Sequence, residues 1–257
     1  MSFTFGTFDT EAAGAIATLR RLPSFAGLSV DTIDSPGADG RILGGTSRSV
    51  AQYVFDVIVS GETPEEAGAA RDAVALALDP ARGMQNLTFD AAPGWRWAAI
   101  VAAPIEWERL TWVYGNCQLR GDIAFDALEA YGRLIDDERW RYTGPGNRTV
   151  RREQGNARSY PTVEVEGTLT ASQRITLQVA DVDLTVTGPL ARGEVLRLDW
   201  DRFDFARWDG ETKVASAVRS MSTLDRPVLW PRAEAPFHLS TTGAVTRAEL
   251  IANSRRQ

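Results

Sequence analysis

Histidine, cysteine and lysine each occur once in this chain of 257 residues, as His238, Cys117 and Lys213. A lone histidine leaves no material for a His-rich zinc site and argues against a Ser-His-Asp relay. It sits in the alternating run Phe237-His238-Leu239 and reads as structural. A lone cysteine permits no internal disulfide and no thiolate metal cluster, so Cys117 reads as a small buried apolar residue. No apolar run approaches the roughly 18 residues of a membrane span. The opening Met1-Ser2-Phe3-Thr4-Phe5 has no basic region and no long apolar stretch, so no secretory signal is expected. No Gly-x-Gly-x-x-Gly opens a helix, and no phosphate-binding P-loop is present. The scarcity of lysine among 28 basic residues reads as the codon bias of a GC-rich genome.

Hydrophobic residues make up 44% and charged residues 24%, the balance of an ordinary globular protein. The length suits one large domain or two small ones. A net charge of −6 argues against nucleic acid as the main partner. The charge is uneven. Residues 1–145 carry 12 Arg and 20 Asp+Glu, a net of −8, whereas 146–257 carry 16 Lys+Arg and 14 Asp+Glu, a net of +2. An acidic first half and a near-neutral second half support two domains, 1–145 and 146–257.

The first half mixes strands with one helix. Phe3–Phe8, Leu28–Ile33 and Ser49–Val59 read as strands, with Ser35-Pro36-Gly37-Ala38-Asp39-Gly40 a turn carrying the hairpin signal Asp-Gly. Ser49–Val59 is almost continuously apolar, which predicts cover on both faces. In Thr63-Pro64-Glu65-Glu66, Thr63 is an N-cap, Pro64 takes the first helical position and Glu66 completes a capping box. The helix is expected over about 64–79, with Ala67, Ala70, Val74, Ala77 and Leu78 as its apolar stripe and Pro80 as its stop. Leu87–Phe89, Trp95–Ala103, Ile105–Val113 and Cys117–Leu128 fit a β-meander. Residues 129–142 are ambiguous between a short helix and an irregular arm, and Thr143–Asn147 reads as a linker.

The second half has no helix signal. Gly155-Asn156-Ala157-Arg158-Ser159-Tyr160-Pro161 leads into Thr162-Val163-Glu164-Val165-Glu166-Gly167, a strand of period 2 opened by Pro and closed by Gly. Short β runs then recur every 8–12 residues or so, which predicts a sandwich. They cover 161–167, 173–180, 182–187, 194–200, 203–208, 212–217, 226–230, 235–240 and 245–251.

Three constellations invite chemistry. Asp199-Trp200-Asp201-Arg202-Phe203-Asp204 resembles a calcium loop, but Phe203 and Asp204 fall where an oxygen ligand and a Gly are needed, so a turn is the better reading. Glu164 and Glu166 lie on one strand face roughly 7 Å apart, near the separation of a retaining glycosidase pair. Two glutamates on the outer face of an amphipathic strand read instead as a solvated face. The eight tryptophans, Trp95, Trp97, Trp107, Trp112, Trp140, Trp200, Trp208 and Trp230, could stack on sugars, but core or subunit contact is the default. No catalytic, cofactor-binding or metal residue is assigned, no cofactor is expected, and an enzyme is not expected.

Several short motifs occur in a fixed order: the Asp39-Gly40 turn, Ile58-Val59-Ser60-Gly61, the Thr63-Pro64-Glu65-Glu66 helix start, a Pro80/Gly83 break, Leu87-Thr88-Phe89, and a closing strand at Ile123–Phe125. The stretch Asn156…Pro161, the strand Gly193-Glu194-Val195-Leu196-Arg197-Leu198-Asp199, the Asp209-Gly210 turn and Leu229-Trp230-Pro231 follow. In that order, across nearly the whole chain, they resemble the distal tail (Dit) family of long-tailed phages. One departure is plain: Arg232-Ala233-Glu234 stands where the family commonly has Gly-x-Asn.

The resemblance implies a mainly β protein. Its α+β N-terminal domain would be a tail-tube-like β-sandwich with one helix, and its C-terminal domain a galectin-like β-sandwich. It implies a structural virion protein of the distal tail end, made in the bacterial host cytoplasm. Six copies would form a ring joining the tail tube to the tail tip or baseplate. Partners would be other copies, the tail tube protein and a tail-tip hub or tail-associated protein, with tape measure and receptor-binding proteins beyond them. DNA would meet the ring only in transit, and no membrane is involved. An acidic ring-forming half suits a channel that must pass DNA without adsorbing it. The alternative is a carbohydrate-binding β-sandwich module acting in host adhesion.

Overall fold

The computed structural model describes residues 2–23, 26–34 and 41–257. Strands hold 57% of the chain, beside one α-helix among the described residues, so the mainly β expectation holds. The chain divides into two compact units between Ile135 and Asp136, earlier than the expected 145/146.

The first unit contains β1 (Phe3–Phe5), β2 (Phe8–Asp9), β3 (Ile16–Arg21), β4 (Leu28–Asp34), β5 (Arg41–Arg48), β6 (Ala51–Gly61), α1 (Pro64–Ala77), β7 (Gln85–Phe89), β8 (Trp95–Val101), β9 (Trp107–Val113), β10 (Asn116–Ala127) and β11 (Gly132–Leu134). Its main sheet is antiparallel, in the order β2-β1-β7-β8-β10-β6-β3, with β9 also on β10 and β11 on β8. The sheet curls around an aromatic core. Phe3 lies 4.6 Å from Phe55 and 5.3 Å from Phe125 between ring centroids, and Phe89 stacks on Trp97 at 4.7 Å. α1 closes this core with Ala67 and Val74, helped by Leu78 at its C-cap, while Ala70 and Ala77 are half-buried.

The helix start is as expected. The Glu66 N–H donates to Thr63 Oγ1 at 3.2 Å, and Glu66 Oε2 accepts the Glu62 N–H at 2.8 Å. The helix stops at Ala77, two residues short of expectation, because the residue before Pro80 is steered out of helical geometry. β6 departs from its expected cover on both faces. Tyr53, Phe55, Val57 and Val59 are buried, whereas Gln52, Val54, Asp56 and Ile58 are only half-buried. Val54 and Ile58 face Arg21 and Arg120 across the ladder, and long arginine stems tolerate apolar neighbours at a wet surface. The expected Asp39-Gly40 turn lies outside the described residues.

The second unit contains β12 (Arg139–Tyr142), β13 (Gly146–Arg151), β14 (Thr162–Thr168), β15 (Arg174–Val179), β16 (Val182–Thr187), β17 (Glu194–Asp199), β18 (Asp204–Asp209), β19 (Thr212–Ser216), β20 (Glu234–Thr241) and β21 (Ala244–Ile251). A six-stranded sheet, β12-β21-β14-β17-β18-β19, and a four-stranded sheet, β13-β20-β15-β16, form a sandwich. Val163, Val165, Leu198 and Leu250 from the first sheet share one core with Ile175, Leu177, Phe237 and Leu239 from the second. Alternation along each strand produces this: β14 buries Val163 and Val165 and turns Glu164 and Glu166 outward.

Three expectations are corrected here. Residues 129–142 are neither helix nor arm, since they hold β11 and β12. The expected linker 143–147 is a turn that ends inside β13. Residues 226–230 form no strand: Pro227 and Pro231 lack the N–H a ladder needs, and only Leu229 bridges, to Ser159. The left-handed turn after Leu229-Trp230-Pro231 survives without glycine, with Arg232 at φ 58°. At Gly155, by contrast, glycine is required twice over. Its φ is +84°, and a Cβ there would lie 2.4 Å from the Arg255 carbonyl oxygen.

Candidate assembly interface

In the first unit, β3, β6, β10 and β9 run side by side in antiparallel order. Among the described residues β3 and β9 each pair on one side only, so both present a free edge. Unpaired edges of this kind are templates for another chain. The core-facing side of these strands is apolar, while the outer side is charged. Asp122 lies directly opposite Asp56 in the β10–β6 ladder. Two carboxylates at that spacing repel, and two guanidiniums relieve them: Arg20 reaches Asp122 at 2.6 Å and Arg120 reaches Asp56 at 2.6 Å. The Asp56 hydrogen bond, with its charge, raises the Arg120 pKa further. A shallow groove of about 660 Å³ opens on this side, lined by Arg20, Pro104, Glu106, Glu108, Arg120 and Asp122.

The two free edges differ in a directional way. Along β3 the outer side carries Ile16, then Thr18, then the Arg20-Arg21 end, where the ladder has a bulge. Along β9 the outer side carries Glu108, then Thr111, then Val113, with Leu110 absorbed in a bulge. Ile16 and Val113 are each 64% exposed. Beyond Val113 stands Tyr114 at the hairpin tip, 86% exposed, with the tip fixed by Gly115 N–H donating to Glu62 O at 2.7 Å.

β4 and β5 form a separate antiparallel hairpin. Gly27 N–H to Val50 O (3.2 Å) and Ser49 N–H to Gly27 O (2.7 Å) carry the β3–β6 ladder into it. The register, with a bulge after Asp31, sets Leu28, Val30 and Leu43 on one side of this ribbon, and all three are exposed. Ile33, on the other side, is 61% exposed. A two-stranded ribbon is marginal in water, and apolar side chains on both of its sides add to that cost.

The residues singled out by sequence are placed as follows. Glu164 pairs with Arg197 at 2.7 Å and Glu166 with Arg247 at 3.0 Å, so the two carboxylates serve cross-strand ion pairs rather than a fully solvated face. Asp199 Oδ1 accepts the N–H groups of Asp201 and Arg202, both at 2.9 Å, and so shapes a turn. His238 is half-buried beside Asn147, and Cys117 is buried in the first core. Trp95, Trp97 and Trp200 are buried, Trp107, Trp140 and Trp208 are half-buried, and Trp112 and Trp230 are exposed. The β3 edge and the β5 arm were missed by sequence reading. Ile16-Ala17-Thr18-Leu19-Arg20-Arg21 is too polar at one end, and Gly44-Gly45 dilutes the β signal of the other.

The fold that carries these edges is that of a phage Dit protein. It matches the crystal structure of SPP1 Dit, described as a paradigm of the hub adsorption apparatus in phages infecting Gram-positive bacteria. The TM-score is 0.69 over 97% of each chain, at 14% sequence identity. Structures of the phage P2 baseplate, activated with calcium or strontium, align over at least 97% of this chain with TM-scores of 0.44 and 0.43 and 10% identity. No protein-family model matches the sequence, and no curated protein matches it.

Proposed function

We propose that this chain is a structural component of the distal end of a long-tailed phage's tail, where six copies close into a ring between the tail tube and the tip. The observation that carries this reading is the complementarity of the two free edges. Within the four-strand layer β3 and β9 run in opposite directions, so β3 of the next copy would continue the sheet antiparallel to β9. In that register Ile16 meets Val113, Thr18 meets Thr111, and the Arg20-Arg21 end meets Glu108. The spacing agrees along the contact, since Ile16 to Arg21 and Val113 to Glu108 both span five steps and each strand carries one bulge. Apolar would meet apolar and cation would meet anion along this edge. The contact is head-to-tail, and a head-to-tail contact generates a ring when its rotation closes.

The β4–β5 arm would lie over a neighbouring copy, which removes Leu28, Val30 and Leu43 from water. The outer side of the layer, with Asp56, Asp122, Asp126, Glu106 and Glu108 against Arg20, Arg21 and Arg120, would face the channel and discourage DNA from adsorbing. The second unit would then carry tail-tip partners. The fold match along 97% of the chain supports the same reading.

The test is assembly mass, read by native mass spectrometry and negative-stain imaging. A sixfold ring is expected. Glu108→Arg should weaken it about tenfold or more. Arg21→Glu combined with Glu108→Arg should restore much of the loss, because the pair is exchanged rather than broken. A ring indifferent to Glu108→Arg would reject this edge pairing. A chain that stays monomeric at high concentration and on tail-tube ends would reject the ring.

A further inference from the structure

We propose that the cleft beside Trp230 in the second unit binds a saccharide. This goes beyond the ring-forming reading, which uses only the first unit. Trp230 is 57% exposed, yet the backbone on both sides of it is fixed. Leu229 exchanges two hydrogen bonds with Ser159, at 2.9 and 3.0 Å, and Leu229 and Ser159 are both buried. Pro231 bridges to Arg152, and the Arg232 N–H donates to the Arg152 carbonyl at 2.7 Å. A large indole carried outward on a clamped backbone costs no backbone ordering when it binds.

The ring borders a cleft of about 310 Å³ walled by Ala180, Asp181, Val228, Glu234 and Pro236. That volume lies at the small end of the range for small-molecule sites, about 300–1,000 Å³. The walls combine apolar surface with two carboxylates that form no ion pair among the described residues. Asp181 accepts one hydrogen bond, from the Val228 N–H at 3.4 Å. The turns that bound the cleft hold Ala180 at φ 52° and Arg232 at φ 58°, conformations that cost an L-residue free energy. Non-glycine strain of this kind concentrates at ligand sites.

An indole and two carboxylates around one cleft suit a pyranose. Its C–H face stacks on the ring, and its vicinal hydroxyls donate to Asp181 and Glu234. A cationic ligand would also suit an indole and carboxylates, but the surroundings argue against it. Arg151 lies opposite Glu234 in the β13–β20 ladder, and Arg232 sits between Trp230 and Glu234 in the chain. Guanidiniums at these neighbouring positions weaken the negative field that a cation would need, although Arg151 is itself paired with Glu153 at 2.9 Å. Hydroxyl donors need only the acceptors.

The experiment uses the full chain on a glycan array of hexose, N-acetylhexosamine and deoxyhexose oligomers. Hits are then titrated by calorimetry and tryptophan fluorescence. Saturable binding is expected, with Trp230→Ala raising Kd about tenfold or more and Glu234→Gln raising it severalfold. Both residues are exposed, so the melting temperature should hold in each variant and loss of binding cannot be blamed on unfolding. Absence of any array hit, or binding unchanged in Trp230→Ala, would overturn the assignment. So would saturable binding of an arginine or lysine peptide in place of a glycan. None of these outcomes depends on whether the chain assembles into a ring.

Discussion

The two units solve the problem of surface in opposite ways. Of the large apolar side chains exposed among the described residues, fifteen lie between Ile16 and Ile135 and five between Phe203 and Trp230. Burial of polar groups runs the other way. Among the described residues the first unit buries Thr10 alone, whereas the second buries Arg152, Ser159, Thr162, Glu249 and Ser254. The first unit thus has a finished interior and an unfinished exterior, as expected of a part that must meet copies of itself. The second exposes fewer large apolar side chains and spends polar groups inside, fastening its own segments together. Glu249 anchors the outer face of β12 through Arg139 and Arg141, both at 3.2 Å, and holds Arg247 at 2.7 Å.

The interior of the first unit is the place to break this contrast most severely. Phe55 is fully buried between Phe3, Phe89 and Phe125. Phe55→Ala should cost about 3–5 kcal/mol, from lost burial and the cavity left behind. Urea unfolding of the variant and the parent measures it. A cost below about 1 kcal/mol would mean that the aromatic cluster is loosely packed.

The exterior of the same unit should respond in the reverse sense. Val30→Asp with Leu43→Asp places charge on the arm where apolar contact is proposed. Folding stability should change by no more than about 0.5 kcal/mol, because both side chains are exposed. Association should weaken by roughly 3 kcal/mol, about 1.5 kcal/mol or more for each apolar side chain no longer buried between copies. Sedimentation velocity separates the two effects. Equal loss of folding and association would show that the arm belongs to the fold rather than to the assembly.

The buried charge of the second unit gives a smaller effect with a pH signature. Burial alone would raise the Glu249 pKa. The hydrogen bonds from Arg247, Arg141 and Arg139 together outweigh it and hold the group below the usual carboxylate range. A depressed folded pKa means that this stabilisation is present above the unfolded value, about 4.3, and is lost as pH falls through the folded one. Glu249→Gln should therefore destabilise by about 1–3 kcal/mol at neutral pH, less than a fully dry ion pair because the arginines are exposed. The gap between variant and parent should close below pH ~4. Asp137 behaves oppositely: desolvation raises its pKa despite hydrogen bonds from Ser254 and Glu138, so its ionisation opposes folding until the pH drops. Melting curves across pH 3–7 or so distinguish the two groups. A pH-independent difference for Glu249→Gln would remove the ion-pair account.

Legibility in the sequence follows the same division. The elements that could be read, α1 and the alternating β10 and β14, owe their form to local signals: a capping box, a Pro stop, and valines two residues apart. What could not be read depends on partners distant in sequence. β12 is only Arg139-Trp140-Arg141-Tyr142, and it is a strand because Glu249 and Ala248 wait for it in β21. β6 looked buried on both faces because nothing local shows that Arg21 and Arg120 would border Val54 and Ile58. The candidate edges were the least legible part, since an edge is defined by the strand that is missing beside it. Trp230 was visible as one of eight tryptophans, but its exposure depends on bridges to Ser159 and Arg152 that no local pattern announces.

The smallest effect tests whether the second unit keeps strain for a purpose. Arg232 holds φ 58° directly after Trp230-Pro231, where glycine would be free of the roughly 1 kcal/mol penalty of a left-handed L-residue. Glycine also frees the unfolded chain, which takes back part of the gain. Arg232→Gly should therefore stabilise the unit by about 0.5 kcal/mol, a rise of a few degrees at most in melting temperature. Arg232→Ala keeps the penalty and removes only an exposed side chain, so it should gain nothing. If glycine and alanine behave alike, the turn is not strained. Arg232 would then owe its place to its guanidinium, a positive charge two residues from Trp230 in the chain.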